Sequence, residues 1–187
     1  MGLQNLRSKF DSSYPCHVTI IRFVKFSVCL FIAIVFVMQD KHPLSQDEFN
    51  DVYSKVPRLT VEVLAIDKED KVFLTQRSIE PCIGQWHLPG GTVRFGETLL
   101  EAVKRISSRE LGISVLDASN VGYIEYPSHY LHNLDSPVGI VFRIEEYSGD
   151  IRTNVEALSG DWFLVIPENM HADQDTFLAV NGFLKFA

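Results

Sequence analysis

The sequence predicts an α+β fold in which helices cover the faces of a mixed sheet. Short runs rich in branched and aromatic residues, which are typical of strands, alternate along the chain with amphipathic helical segments. Strands followed by helices in this mixed order favour a sheet with helices packed on its faces. A chain of 187 residues can form one such domain with a sizeable core, and hardly two.

The first predicted element is a short helix that begins after Ser45. Ser45 and Glu48 have the spacing of a capping box, in which each side chain accepts a hydrogen bond from the other residue's backbone. Pro57 closes this segment. A strand over 59–66, a polar turn and a second strand over 71–77 follow, and together they predict a hairpin.

The next helix follows the glycine pair 90–91 and should end at Gly112, because glycine readily takes the left-handed backbone of helix ends. A tyrosine-rich stretch, 123–132, is expected to form a substrate-facing loop. The remaining predicted elements are strands over 121–126, 138–147 and 162–165 and a closing helix over 173–186, despite Gly182.

Residues 1–37 differ from the rest of the chain because they contain a long apolar run. Three interpretations stay open. Residues 18–38 could form a membrane anchor, since a span needs about 20 apolar residues. A secretory signal would need a small-residue cleavage site, which the run lacks. Alternatively, translation starts at Met38 and the preceding residues are upstream read-through. We predict an N-terminal extension, 1–37, and a domain over 38–187.

Composition restricts the partners and the compartment. The net charge of −7 argues against nucleic acid as a main partner, because phosphate backbones are bound by surplus Lys and Arg. The cysteines Cys16, Cys29 and Cys82 are odd in number and lack the spacing of a local metal motif. They are more typical of buried or free thiols than of disulfides, which favours a reducing, cytoplasmic location.

The segment from the glycine pair to Gly112 contains the most informative motif. It resembles the Nudix box, Gly-x5-Glu-x7-Arg-Glu-U-x-Glu-Glu-x-Gly-U, where U is a bulky aliphatic residue. Two glutamates of the motif are replaced, one by Ile106 and one by Arg109. The residues that match the motif are Gly91, Glu97, Arg105, Glu110, Gly112 and Ile113.

The replaced glutamates affect metal binding. In a complete box the carboxylates lie on one helix face, where they can bind several hard cations. This helix keeps one of them, Glu110. The sequence therefore predicts a single Mg²⁺, or Mn²⁺, rather than a multi-metal cluster.

We call this segment a thinned box, because Ile106 and Arg109 replace two of the motif's glutamates. It is similar to the box of one Nudix branch, the GDP-mannose mannosyl hydrolases. The resemblance covers roughly residues 40–180 and includes the segments 44–49, 73–77, 84–91, 105–112 and 169–173. It implies an α/β/α sandwich, a nucleotide-sugar substrate and, through the early helix, a homodimer.

The same resemblance implies roles for individual residues. The metal ligands would be the Gly90 carbonyl, Glu110 and Glu156. Substrate contacts would come from Arg77, at the diphosphate, and Glu62. Gly91, Glu97 and Gly112 would be structural, and Arg105 is divided between scaffold and phosphate contact. Each also has a plainer explanation: a turn for Gly90, an exposed helix or loop glutamate for Glu110 and Glu156, and the polar face of a strand for Glu62.

The general base is the main gap. The mannosyl hydrolases have a histidine where this chain has Ala157, and the resemblance also fails at Thr92 and Pro137. A hydrolase needs a group that takes the proton of the attacking water. The candidates are Glu125, His129, His132 and Glu156, of which we favour His129 as a catalytic residue.

Together these features predict a Mg²⁺-dependent hydrolase of a nucleoside diphosphate sugar. Attack at the anomeric carbon would release nucleoside diphosphate and sugar, and one metal can neutralise that leaving group. Attack at phosphorus, as in other Nudix pyrophosphatases, commonly recruits more metal. A non-catalytic nucleotide-sugar binding module is the alternative from another class, favoured by Ala157 and Arg109.

Overall fold

The computed structural model describes residues 44–80, 82–131, 135–153 and 157–186. The helices are α1 (Gln46–Tyr53), α2 (Leu99–Ile106), α3 (Pro127–Leu131) and α4 (Ala172–Val180). The strands are β1 (Arg58–Leu64), β2 (Val72–Arg77), β3 (Trp86–His87), β4 (Gly90–Thr92), β5 (Ser114–Glu125), β6 (Pro137–Ser148) and β7 (Ala157–Phe163).

The strands form two sheets. The larger has the order β4-β1-β6-β5 and the smaller the order β3-β2-β7. Strands β1 and β6 run parallel, whereas the other pairs are antiparallel. The larger sheet is therefore mixed, as the sequence predicts.

Strand β1 is buried on both faces and separates two hydrophobic clusters. Val61 and Val63 pack with Ile106 of α2 on one face, while Leu64 packs with Leu178 of α4 on the other. Since successive side chains of a strand point to opposite faces, these contacts place helices on both sides of the sheet. The predicted α+β sandwich is confirmed.

The predicted hairpin is right only at its turn. Ile66 and Val72 form an isolated antiparallel bridge, after which β1 and β2 diverge into different sheets. Both edges of β1 are already occupied, by β4 and β6. Strand β2 therefore pairs with β3 and β7 instead.

Two further predictions are wrong in part. Helix α4 ends at Val180, because Gly182 adopts φ +73° and reverses the chain. Over 123–131 the expected loop is instead a strand followed by a helix, since β5 continues to Glu125 and α3 comprises Pro127–Leu131, while residue 132 lies outside the described residues.

The predicted start after Ser45 and the predicted stop at Gly112 are confirmed. Ser45 caps α1 and forms the capping box with Glu48. Helix α2 continues into a π-helical turn, Ser107–Leu111, which ends at Gly112 with φ +68°. Single π-helical turns often occur at functional sites, and this one carries Glu110.

Within the described ranges, no helix has the length and apolar character needed to cross a membrane. The predicted anchor segment, 18–38, lies outside the described residues, as do the whole predicted N-terminal extension, 1–37, and its boundary at 38.

Candidate active site

One cavity of about 650 Å³ opens between the two sheets and the helices. Its volume is in the range of small-molecule sites. The predicted functional residues that line it are Glu62, Arg77, Gly90, Gly91, Arg105, Glu110 and His129. The structure thus brings them to one place, whereas Glu156 lies outside the described residues.

Glu110 is held in position from two sides. Its Oε2 accepts a hydrogen bond from the Gly90 backbone N–H at 3.2 Å. Its Oε1 forms an ion pair with the guanidinium of Arg109. The box residue that precedes them, Ile106, is fully buried in the core. Arg109 thus stands where the full motif has a carboxylate, and it supplies the countercharge of Glu110.

Gly91 packs closely against the core. A Cβ added at Gly91 would lie 3.3 Å from Cδ1 of Ile106, which is tighter than ordinary van der Waals contact. Ile106, which replaces a glutamate of the box, therefore packs against the box glycine, Gly91.

Glu97 and Arg105 form a partly buried, bidentate ion pair. The Arg105 Nε and Nη2 groups donate to the two Glu97 oxygens at 2.6 and 2.8 Å, and Nη2 also donates to the Thr92 carbonyl at 3.0 Å. Burial opposes the charge of Glu97, but hydrogen bonds from Arg105 and the Arg94 backbone hold its pKa below the usual value. These contacts fix the loop onto α2. A phosphate contact by Arg105 stays a prediction.

Arg105→Lys is expected to lower the free energy of unfolding by about 1–2 kcal/mol, because lysine cannot reproduce the bidentate, charge-assisted contact with Glu97. Urea unfolding of the full chain measures this change. Lys104→Arg is the matched control, since Lys104 is exposed on the same helix and should give no measurable effect. Equal stability of Arg105→Lys and the native protein would contradict a scaffold role.

Glu62 is a buried carboxyl group between two glycines. Its side chain accepts a hydrogen bond from the Thr60 hydroxyl at 2.9 Å and another from the Tyr126 hydroxyl. A Cβ at Gly90 would lie 1.9 Å from Oε2, and a Cβ at Gly139 would lie 2.8 Å from Oε1. Both glycines thus leave room for this carboxyl group.

The pKa of Glu62 is raised to about 7, chiefly by burial, although the hydrogen bonds from Thr60 and Tyr126 oppose the shift. The negative charge of Glu110 raises it further, while Arg58 lowers it. Glu62 and Glu110 therefore interact electrostatically next to Gly90.

His129 is buried in α3, whereas the sequence predicts a substrate-facing loop at this position. Its Nδ1 lies 2.9 Å from an Asp135 oxygen, and its Nε2 lies 3.2 Å from Nε2 of His171. The other Asp135 oxygen forms an ion pair with Arg58. Tyr126 packs edge-on against both imidazoles, with ring centroids 5.4 Å apart in each case.

Most partners of His129 were not predicted. His171 is the N-cap of α4, and its Nδ1 accepts the Asp173 backbone N–H. A polar residue directly before a helix is a signal that sequence can offer. Asp135 and Tyr126 have no comparable signal, because only the folded chain brings them next to His129.

Arg77 ends β2 at the cavity, as predicted. Its Nε donates to the Ile79 carbonyl at 3.0 Å and its Nη2 donates to the Glu80 carbonyl at 3.3 Å. These bonds orient the guanidinium at the wall of the cavity. Its contact with a diphosphate stays a prediction.

The groups around Gly90 suit a single hard cation. Glu110 places its carboxylate next to this glycine, and Mg²⁺ is commonly bound through one or two carboxylates together with substrate phosphates. Because Arg109 balances the charge of Glu110, a cation has to displace that guanidinium to reach the carboxylate. The donor set therefore fits one Mg²⁺ or Mn²⁺, in competition with Arg109.

Comparisons with known proteins agree with this fold and motif. The low-salt glycan biosynthesis protein Agl8 of Haloferax volcanii is 37% identical over 95 residues, which are 50% of this chain and 60% of the relative. The ADP-ribose pyrophosphatase of Methanocaldococcus jannaschii is 31% identical over 98 residues, 52% of this chain and 57% of the relative. The chain thus spans less than two thirds of either relative.

Solved structures show the same architecture. The MutT NUDIX hydrolase from Burkholderia pseudomallei superposes with a TM-score of 0.58 at 27% identity, covering 64% of this chain and 94% of that protein. The NUDIX domain family model matches residues 56–178, which include the whole box. With box, sandwich and family match in agreement, the chain belongs to the Nudix family.

Proposed function

We propose that the protein hydrolyses a nucleoside diphosphate sugar of the GDP-mannose type, with water attacking the anomeric carbon of the sugar. The observation that carries this proposal is the thinned box. One box carboxylate, Glu110, faces the cavity, while Ile106 is in the core and Arg109 neutralises Glu110. Such a site is suited to holding a diphosphate leaving group rather than to multi-metal attack at phosphorus.

The chain offers residues for each task. Mg²⁺ or Mn²⁺ would be held by Glu110 and the Gly90 carbonyl, with Glu156 as a further sequence-based ligand, and would supply charge neutralisation at the diphosphate. Arg77 would bind the diphosphate, because a planar guanidinium matches paired phosphate oxygens.

Glu62 is the proton acceptor that the site supports best. It is a buried carboxyl group on the cavity wall next to Gly90, whereas Nε2 of His129 already faces His171. A buried carboxylate that lines the cavity can take the proton of the attacking water. His129 would then support the site from α3, and His129→Gln would lower turnover less than Glu62→Gln.

The names of the relatives agree with two candidate functions. The name of Agl8 places that protein in glycan biosynthesis, which agrees with a nucleotide-sugar substrate. The second candidate function is pyrophosphatase chemistry at phosphorus, favoured by the similarity to an ADP-ribose pyrophosphatase. A binding module without turnover is favoured only by Ala157 and Arg109.

Product analysis in ¹⁸O-labelled water tests the proposal. The full chain is incubated with GDP-mannose or ADP-ribose, with Mg²⁺ or with chelator. Release of GDP and mannose with ¹⁸O in the sugar supports attack at the anomeric carbon. Release of GMP and mannose phosphate, with ¹⁸O in a phosphate, contradicts it and favours pyrophosphatase chemistry. Binding of GDP-mannose without any product favours the binding module.

Arg109→Ala is expected to lower the Mg²⁺ concentration for half-maximal activity by about fivefold. The guanidinium competes for Glu110, and a partly exposed ion pair contributes about 1 kcal/mol. Titration of activity with Mg²⁺ measures the change. Arg143→Ala removes an exposed arginine on β6 and serves as the control. An unchanged or higher Mg²⁺ requirement in Arg109→Ala would show that Arg109 does not compete with the cation.

The cytoplasmic location, the homodimer and the domain boundary at residue 38 stay predictions.

A further inference from the structure

We propose that Cys82, His129 and His171 form a second metal site, for a thiophilic divalent cation such as Zn²⁺. One ligand atom of each residue lies within 4.8 Å of those of the other two. None of the three belongs to the Nudix box, and the proposal does not depend on the substrate or the reaction proposed above.

The ligand types select the cation. One sulfur and two imidazole nitrogens are a donor set that Zn²⁺ accepts in a tetrahedral site, whereas Mg²⁺ prefers oxygen. With Zn–N bonds of about 2.0–2.1 Å, two imidazole nitrogens on one tetrahedral ion lie about 3.3 Å apart. The Nε2 atoms of His129 and His171 are 3.2 Å apart. The two imidazoles are therefore already spaced for one ion, and the Cys82 ligand atom, which lies within 4.8 Å of theirs, has to move towards them to bind it.

The surrounding groups orient the His129 ligand. The Nδ1–H group of His129 donates to Asp135 at 2.9 Å, and Arg58 holds the other oxygen of that carboxylate. This arrangement leaves the Nε2 lone pair to face the cluster. A carboxylate behind a ligating histidine is the usual outer support of a zinc site, where it fixes the tautomer and the ring orientation.

Metal binding would change the hydrogen bonds of His171. Its Nδ1 accepts the Asp173 N–H at 3.3 Å, which places the imidazole proton on Nε2, shared with His129. The cation replaces that proton, so the His171 proton moves to Nδ1 and the long cap bond is lost. The Cys82 thiol also releases its proton to solvent, as thiolates are the ligands of zinc.

Cys82 has an unusual backbone. It adopts φ +70°, a left-handed backbone conformation that residues other than glycine rarely adopt. Such strain persists where the surrounding structure requires it, and often at ligand sites. Here it accompanies a thiol that stands beside two imidazoles.

The site has an open position. All three ligands line the same cavity as Glu110, so a fourth ligand, water or an oxygen of a bound molecule, can reach the ion. Three protein ligands with one open position are typical of catalytic rather than structural zinc. The cavity would then bind a hard cation next to Gly90 and a soft cation at Cys82.

Cobalt substitution tests the proposal on the full chain. Metal-free protein is titrated with Co²⁺ alone, and the sulfur-to-cobalt charge-transfer band is recorded in the near ultraviolet. We expect a band that saturates at one equivalent, and Zn²⁺ should displace the cobalt stoichiometrically. Absence of the band, or of any saturable binding, would overturn the proposal.

Matched variants assign the ligands. Cys82→Ser should abolish the charge-transfer band, whereas Cys16→Ser and Cys29→Ser should retain it. His171→Asn removes the imidazole but keeps a good N-cap for α4, so loss of cobalt binding in this variant does not reflect unfolding. Asp135→Asn should weaken Zn²⁺ binding by about 10- to 100-fold. Glu110→Gln should leave the band unchanged. A band that survives Cys82→Ser, or binding unchanged by His171→Asn, would overturn the proposal.

Discussion

Glu110→Gln is expected to lower kcat by about a thousandfold or more, because a bound cation contributes several kcal/mol to charge stabilisation and glutamine is a poor ligand for it. The fold should survive the change, since the amide oxygen can still accept the hydrogen bond from the Gly90 N–H. Steady-state kinetics of the full chain at saturating Mg²⁺ measure the effect.

A matched substitution isolates the cation site. Glu146 is exposed on β6, so Glu146→Gln removes the same charge away from the cavity and should leave kcat unchanged. Isothermal titration with GDP-mannose then separates catalysis from binding. Glu110→Gln that keeps native turnover would contradict the metal assignment, whereas an inactive native protein that binds the nucleotide sugar would favour the binding module.

Local signals in the sequence predicted the features that neighbouring residues determine. The capping box of Ser45 and Glu48 and the helix stop at Gly112 each depend on a few adjacent backbone groups, and both are confirmed. The pairing of β2 could not be predicted in this way. It depends on which edges of β1 the distant strands β4 and β6 occupy.

The same distinction between local and long-range features applies to the cavity residues. Glu97, Arg105 and Glu110 share one motif, so their spacing indicated where they would lie. Cys82 approaches the two histidines from a remote segment. The rule that metal ligands recur at short spacing therefore missed this cluster, because its ligands are brought together only by the fold.

Glu62→Gln is expected to have two opposite effects, a loss of turnover and a gain in stability. If Glu62 takes the proton of water, its removal should lower kcat by about 10²- to 10⁴-fold. A substrate-binding role would instead raise KM and leave kcat near its native value. The two roles are therefore distinguished by which kinetic parameter changes.

The stability effect follows from the raised pKa. Burial raises the pKa of Glu62 to about 7 in the folded protein, above the ordinary value of 4.5. The folded state therefore keeps a proton that the unfolded chain has lost, and the stability that this group contributes is complete below pH 4.5 and lost as the pH rises through 7. At higher pH the protein contains a buried charge that glutamine does not have.

Unfolding experiments with chelator at two pH values measure this cost. At pH about 8, Glu62→Gln should unfold with a free energy larger by about 2–3 kcal/mol than the native protein, while at pH about 4 the two should nearly coincide. Glu146→Gln, whose carboxylate is exposed, should show no such divergence. A variant that is less stable at both pH values would mean that the hydrogen bonds from Thr60 and Tyr126 outweigh the cost of the charge. A buried carboxylate that destabilises the fold while sustaining turnover is expected where a site is retained for its chemistry.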